Sequence, residues 1–152
     1  MDTLRAMKTG VCLAALSVAL LAACGGTAQG GGGPGEPGPG DPRDVASVRL
    51  FDAPGTELTQ HMPLVAGETT RVEVRLYAAK GRQITSVTGG LELGFAFSPS
   101  SLASSTPVDG QPLIRDVTSS AAPGTPGTLA VALYFPADAS TKTFGPFDVL
   151  VH

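Results

Sequence analysis

Every second residue is apolar along four stretches of this chain, and no other feature of the sequence restricts the fold so strongly. A β-strand sends alternate side chains to opposite faces of a sheet, whereas a helix brings residues together every three to four positions. The four stretches are Thr70–Ala78, Leu91–Phe97, Leu129–Phe135 and Phe147–Val151. In the first of them Val72, Val74 and Leu76 alternate with charged residues, which predicts a strand with one dry face and one wet face.

Shorter apolar runs and turn residues extend this pattern over residues 43–152. We expect further strands at Val48–Leu50, Gln83–Val87 and Leu113–Val117. Glycine-containing turns are predicted at Lys80-Gly81, Gly89-Gly90, Asp109-Gly110, Pro123-Gly124 and Pro126-Gly127. The only helix signal is at Pro99–Ala103, which could form one short helical turn. The pattern therefore predicts an all-β fold, an antiparallel sandwich of two sheets and about seven strands.

A basic opening followed by an apolar run marks the N-terminus as a targeting segment. Arg5 and Lys8 precede thirteen uncharged residues, Val11–Ala23. A membrane-spanning helix needs about 20 apolar residues, so this run is too short to span a bilayer and has the length of the apolar region of a secretory signal. We therefore expect residues 1–23 to be a signal peptide that is removed on export.

The stretch Leu21-Ala22-Ala23-Cys24 ends the apolar run and resembles the lipobox of bacterial lipoproteins. The resemblance implies that a diacylglyceryl group is attached to Cys24, that the chain is cut just before it, and that the new N-terminus is acylated. In proteobacteria-like cells an aspartate after this cysteine retains lipoproteins in the inner membrane. Because Gly25 stands there, the resemblance implies the outer membrane. The alternative is an ordinary signal peptide cleaved near Ala23, which would leave Cys24 unmodified.

Glycine and proline dominate the segment after Cys24. Residues 25–42 contain nine glycines and four prolines, and a segment with so little to bury stays unfolded. We expect a flexible tether with a root-mean-square reach on the order of 20–25 Å, followed by one domain at residues 43–152. Cys12 and Cys24 are the only cysteines, so this domain has no disulfide and depends on its core for stability.

Two short segments near the start of the domain follow a recurring order. They are Val65-Ala66-Gly67-Glu68-Thr69, which leads into the alternating strand, and Lys80-Gly81-Arg82-Gln83-Ile84, which follows that strand. This order resembles the opening half of bacterial immunoglobulin-like domains, in which a turn of the type x-x-G-E/D-T precedes a strand, a glycine turn and a second strand. The resemblance implies an immunoglobulin-like sandwich.

The sequence favours neither an enzyme nor a nucleic-acid-binding protein. Residues 43–152 contain no G-x-S-x-G, H-E-x-x-H, C-x-x-C, Walker or G-x-G-x-x-G motif. Removal of Asp2, Arg5 and Lys8 with the signal leaves twelve acidic and eight basic residues, a net charge of −4, which offers no basic patch for nucleic acid. We expect a non-catalytic envelope protein with a binding or structural role, a protein partner, and no cofactor beyond the lipid on Cys24.

A second hypothesis is a periplasmic metal carrier. His61 and Met62 are adjacent, and His152 ends the sequence with its own carboxylate beside it. Imidazole and thioether ligands suit copper, and small β-sandwiches serve as periplasmic copper carriers. The simpler interpretation is that His61 lies in a loop before Pro63 and that Met62 completes the core.

Four outward positions are candidates for contact with a partner. They are Tyr77, Tyr134, Arg71 and Arg75. The alternation places both tyrosines on outer faces, where they could form a small exposed patch, and both arginines on the wet face of one strand. The alternative is a solvated sheet face with cross-strand charge pairs and tyrosines that lie singly. Because the domain has no tryptophan, a carbohydrate site has little support.

Overall fold

The computed structural model describes residues 41–87 and 90–152, and this part of the chain consists mainly of strands. Its nine strands are β1 Val45–Asp52, β2 Met62–Leu64, β3 Thr69–Ala78, β4 Gln83–Ile84, β5 Glu92–Ser98, β6 Ala103–Val108, β7 Gln111–Ser119, β8 Pro126–Phe135 and β9 Ser140–Val151. The helices in these ranges are two short 3-10 helices, Pro42–Asp44 and Ala79–Gly81, and neither could cross a membrane. The predicted signal peptide, Cys24, the tether up to residue 40 and Gly89 of a predicted turn lie outside the described residues.

The strands form two sheets. The five-stranded sheet has the order β1-β3-β7-β6, with β4 beside β3, and the four-stranded sheet has the order β2-β9-β8-β5. Among the described strands only β2 and β9 run parallel, with Met62 beside Val149 and Leu64 beside Val151. This pair departs from the expected antiparallel arrangement. It is possible because the chain between β2 and β9 passes through both sheets, which provides the long crossover that parallel strands need.

Apolar side chains from both sheets fill the space between them. Val72, Val74 and Leu76 of β3 are fully buried, as are Leu129, Val131 and Leu133 of β8, and all six belong to one core. Burial of a valine or leucine side chain contributes roughly 1.5–3 kcal/mol relative to exposure, so this core can stabilise the domain without a disulfide. The all-β sandwich predicted from the alternation is confirmed, with nine described strands instead of about seven.

Strands without an alternating pattern account for the difference in number. β2 has three residues and contains Pro63, and three of the six residues of β6 are Ser or Thr. β9 begins at Ser140, well before the predicted Phe147, and contains an irregularity opposite Leu129–Val131. The predicted helical turn at Pro99–Ala103 is a tight turn closed by the Leu102 amide, which donates to the Pro99 carbonyl oxygen at 2.9 Å, and Ala103 already belongs to β6.

Gly127 in β8 allows the turn between β5 and β6 to pack against the β8 backbone. A Cβ atom at position 127 would lie 2.5 Å from Leu102 Cδ2 and 2.7 Å from the Ser98 carbonyl oxygen, both far inside contact distance. A Cβ atom at Gly94 in β5 would instead lie 3.7 Å from Ala132 Cβ, an ordinary contact. The close approach at Gly127 therefore requires glycine, whereas Gly94 has room for a side chain.

Side chains near the β8–β9 turn hold the first residues of the domain. Arg43 Nε donates to Asp138 Oδ2 at 2.9 Å, and Asp138 Oδ1 also accepts from the Ser140 hydroxyl at 2.7 Å. Lys142 Nζ donates to the carbonyl oxygens of Arg43 and Val45. Pro42, which the composition assigns to the tether, is buried. The first residues of the domain are therefore held by hydrogen bonds to the β8–β9 turn and to β9.

Candidate functional site

Paired charges occupy the outward positions of β3. Arg71 donates from Nε and Nη2 to the two carboxylate oxygens of Asp116, its cross-strand neighbour in β7, at 2.8 and 3.0 Å. Arg75 makes the same type of pair with Glu73, at 2.8 and 3.1 Å. Two parallel hydrogen bonds fix the plane of a guanidinium group. These side chains are therefore held in defined positions on the outer face of the five-stranded sheet.

Two aromatic rings lie beneath arginines on the same face. Arg75 Cζ is 3.9 Å from the centroid of the Phe51 ring, and Arg49 Cζ is 5.0 Å from that of Tyr77, both within the range of cation–π attraction. Phe51 is only 8% exposed. It lies outside the main core because its neighbour Leu50 takes the inward position in β1. We call Arg49, Phe51, Arg75 and Tyr77 the arginine–aromatic face.

Hydrogen bonds shift the pKa values of two ion pairs, Arg71 with Asp116 and Arg43 with Asp138. The hydrogen bond from Arg71 lowers the pKa of the Asp116 carboxyl group. The hydrogen bonds from the Ser140 hydroxyl and amide, followed by that from Arg43, lower the pKa of Asp138. The same ion pairs raise the pKa of the Arg71 and Arg43 guanidinium groups. All four groups are therefore charged at neutral pH, and each is paired with an opposite charge.

Tyr77 and Tyr134 lie on opposite sides of the sandwich. Tyr77 is on the outer face of the five-stranded sheet, whereas Tyr134 in β8 is on the outer face of the four-stranded sheet, opposite Glu92 and Thr141. Both side chains are half-buried. A joint tyrosine patch is therefore wrong, because alternation tells which residues point outward but not which sheet carries them. Tyr77 remains part of the arginine–aromatic face.

The parallel pairing of β2 with β9 brings His61 and His152 together. Their rings stand edge to face with centroids 6.4 Å apart, and the His152 amide donates to the Leu64 carbonyl oxygen at 2.7 Å. Met62 is fully buried in the core, whereas both histidines are exposed, so the structure does not bring the three predicted ligands together on one surface. Within residues 41–87 and 90–152, no group of three or more His, Cys, Asp or Glu side chains is arranged to hold a metal ion.

A cleft of about 290 Å³ lies between the sheets at the start of β5. Leu91, Leu93, Pro107 and Val108 form its apolar lining, and Arg115 also contributes to it. Arg115 is the register partner of Val72, which is fully buried, so it occupies an inward position of β7. The sequence contained a signal for this placement, since Leu113, Arg115 and Val117 fall on one face of the predicted strand.

No protein-family model matches the chain, and no curated protein matches it closely enough to count as a relative.

Proposed function

We propose that the chain is a lipid-anchored, non-catalytic binding protein of the bacterial cell envelope, displayed at the outer membrane. The observation that carries this proposal is the order of its segments. An apolar run of thirteen residues ends in Leu21-Ala22-Ala23-Cys24, a Gly/Pro-rich segment follows, and the β-sandwich comes next. This order suits a folded domain that is held at a distance from the membrane by its first residue.

Lipid chemistry supports a stable anchor at Cys24. Each buried methylene group contributes about 0.8 kcal/mol, and a single acyl chain binds only marginally. The two or three chains that a lipobox cysteine receives would hold the protein at the membrane essentially permanently. Gly25 directs the product to the outer membrane by the rule given above.

The arginine–aromatic face is the surface that we assign to the partner. Aromatic residues and arginine are enriched among the residues that contribute most to protein–protein binding. Here Tyr77 and Phe51 are already positioned by Arg49 and Arg75, so little side-chain freedom would be lost on binding. Arg71 extends the face towards β7 through its pair with Asp116. The sandwich, which we take to be of the immunoglobulin-like type, provides a rigid support for this surface.

Mass spectrometry of the N-terminal peptide tests the anchor. The full chain is expressed in a bacterium, and we expect the mature protein to begin at Cys24 with a diacylglyceryl group and an N-acyl group. Cys24→Ser should remove the protein from the lipidated membrane fraction, whereas the control Cys12→Ser, which changes a residue of the signal, should leave the product unchanged. An unmodified Cys24 in the mature protein would overturn the proposal.

The proximity of His61 and His152 favours divalent-metal binding as a second candidate function. Two imidazoles with ring centroids 6.4 Å apart are near enough to share one ion at metal–nitrogen distances of about 2.0–2.1 Å, without the Met62 sulfur. A metal that binds the folded state raises its stability. Micromolar Cu²⁺ should therefore raise the melting temperature of the full chain, and His61→Asn or His152→Asn should each abolish the increase. An unchanged melting temperature would eliminate this function.

A further inference from the structure

Four of the five strands at a sheet edge are protected against pairing with another chain, and one of them, β4, has only two residues. β1 is covered by the segment after it, since the Leu58 amide donates to the Leu50 carbonyl oxygen and the Leu50 amide donates to Thr59 Oγ1. β2 has three residues and contains Pro63. β6 contains Pro107 and an irregularity beside it. Covering segments, short length, proline and bulges are the devices by which proteins block edge strands.

β5 is the fifth edge strand and carries none of these devices. Its seven residues, Glu92–Ser98, pair with β8 alone among the described strands. The strand contains one charged residue, Glu92, and neither proline nor lysine. Phe95 and Phe97 lie opposite the fully buried Val131 and Leu129 but remain half-buried themselves. The free edge of β5 therefore offers unpaired backbone groups beside two incompletely covered aromatic rings.

The β5 sequence is complementary to itself in one antiparallel register. Directly opposite residues share a face of the sheet, and a two-fold axis through Phe95, the midpoint of the strand, pairs all seven residues. Leu93 then lies across from Phe97 of the second copy, and Gly94 lies across from Ala96. Glu92 lies across from Ser98, so no like charges oppose each other. Apolar residues thus meet apolar residues, and small residues meet small residues.

We propose that the protein forms a two-fold symmetric dimer by antiparallel pairing of β5 with β5 of a second copy. The two four-stranded sheets become one sheet of eight strands. Each β5 edge is paired with the β5 edge of the other copy, which closes the dimer under two-fold symmetry. A strand of seven residues is about 23 Å long, and such a contact buries less than the roughly 800 Å² per partner of a standard interface. The dimer is therefore weak and forms only as the concentration rises.

Disulfide trapping tests the register. Gly94→Cys and Ala96→Cys are introduced into separate full chains, both of which also carry Cys12→Ser and Cys24→Ser. The introduced cysteine is then the only thiol in each chain. Because these chains cannot be lipidated, a negative result refutes the β5 pairing and says nothing about the proposed lipid anchor. Position 94 tolerates a Cβ atom. Opposed positions are close enough for a disulfide, so mild oxidation of the mixture should yield a heterodimer with a far higher yield than either chain alone. Absence of the mixed product would refute the dimer.

Sedimentation of the full chain in detergent provides an independent measurement. Ala96→Lys places a charge at an exposed, outward position of β5. Ser47→Lys is the matched control, because it places the same charge at an exposed position of β1. We expect Ala96→Lys to raise the dimer dissociation constant at least tenfold and Ser47→Lys to leave it unchanged. A protein that remains monomeric at every concentration, or a dimer insensitive to Ala96→Lys, would refute the proposal.

Discussion

The guanidinium group of Arg75 lies over the ring of Phe51 with its Cζ 3.9 Å from the ring centroid, on the face of the five-stranded sheet that points away from the core. The arginine covers an apolar surface that would otherwise be open to water, while its far end is held by Glu73. It therefore contributes both a cation–π contact and the packing of its methylene groups.

Arg75→Ala should lower the free energy of unfolding by about 1–2 kcal/mol, because the cation–π contact is lost and Phe51 becomes exposed. Urea denaturation of the purified protein measures this change. Arg71→Ala is the matched control, since Arg71 has a comparable carboxylate partner, Asp116, but no ring contact is described for it. An equal loss in both variants would show that the ring contact contributes nothing.

Gly127→Ala should destabilise the protein by about 1–3 kcal/mol, the usual cost of overpacking, because its Cβ atom would collide with Leu102 and the Ser98 carbonyl group. Gly94→Ala changes the same atoms in a strand of the same sheet but meets only an ordinary contact with Ala132. The difference between the two melting temperatures isolates the close approach. If both variants melt together, the packing at Gly127 is looser than the structure indicates.

Acid should destabilise the protein through Asp116 and Asp138. The folded state lowers the pKa of both carboxyl groups below their ordinary value of 3.8, so the unfolded chain takes up protons first as the pH falls. The stabilisation is complete above about pH 5 and is lost progressively below the ordinary value. Melting curves from pH 6 to pH 2.5 should show a steeper decline for the native protein than for an Asp116→Asn, Asp138→Asn variant.

The control for this pH dependence is Asp109→Asn, because Asp109 takes part in none of the ion pairs described above. Its acid profile should follow that of the native protein. Parallel profiles for all three proteins would contradict the assignment of the acid sensitivity to the two paired aspartates.

Met62→Ala should cost about 2–5 kcal/mol, the range for loss of a large core side chain, since Met62 is fully buried. Met62→Leu conserves volume and should cost less than about 1.5 kcal/mol. If copper binds at His61 and His152, the metal-dependent rise in melting temperature should survive in Met62→Leu. Loss of the rise in that variant would show that the sulfur is a ligand after all.

Alternation was sufficient to predict β3, β5 and β8, because each of these strands places one face in the core over most of its length. It could not reveal β2, which has three residues centred on a proline, or β6, which contains Ser and Thr residues and Pro107. Neither strand has a periodic apolar pattern. The outward side chains of Tyr77 and Arg71 were also predictable. Their neighbours were not, because the position of Phe51 beneath Arg75 depends on how β1 aligns with β3.

The proximity of the two histidines also could not be predicted from a local sequence pattern. His61 and His152 are the two histidines of the sequence, and the structure places their rings 6.4 Å apart. Their proximity arises from the parallel pairing of β2 with β9, a tertiary contact between distant parts of the chain that no local pattern encodes. Conversely, Met62 and His61 are adjacent in the chain, but the side chains of adjacent residues in extended backbone point in opposite directions.

The central place of β9 has a consequence for biosynthesis. The ribosome makes Ser140–Val151 after the other eight described strands, yet this strand lies between β8 and β2 and contributes Val149 and Val151 to the core. Until it emerges, β2 has no sheet to join and the interior stays open on that side. Such long-range pairing is slow to form. The four-stranded sheet can therefore be completed only after Ser140–Val151 has left the ribosome.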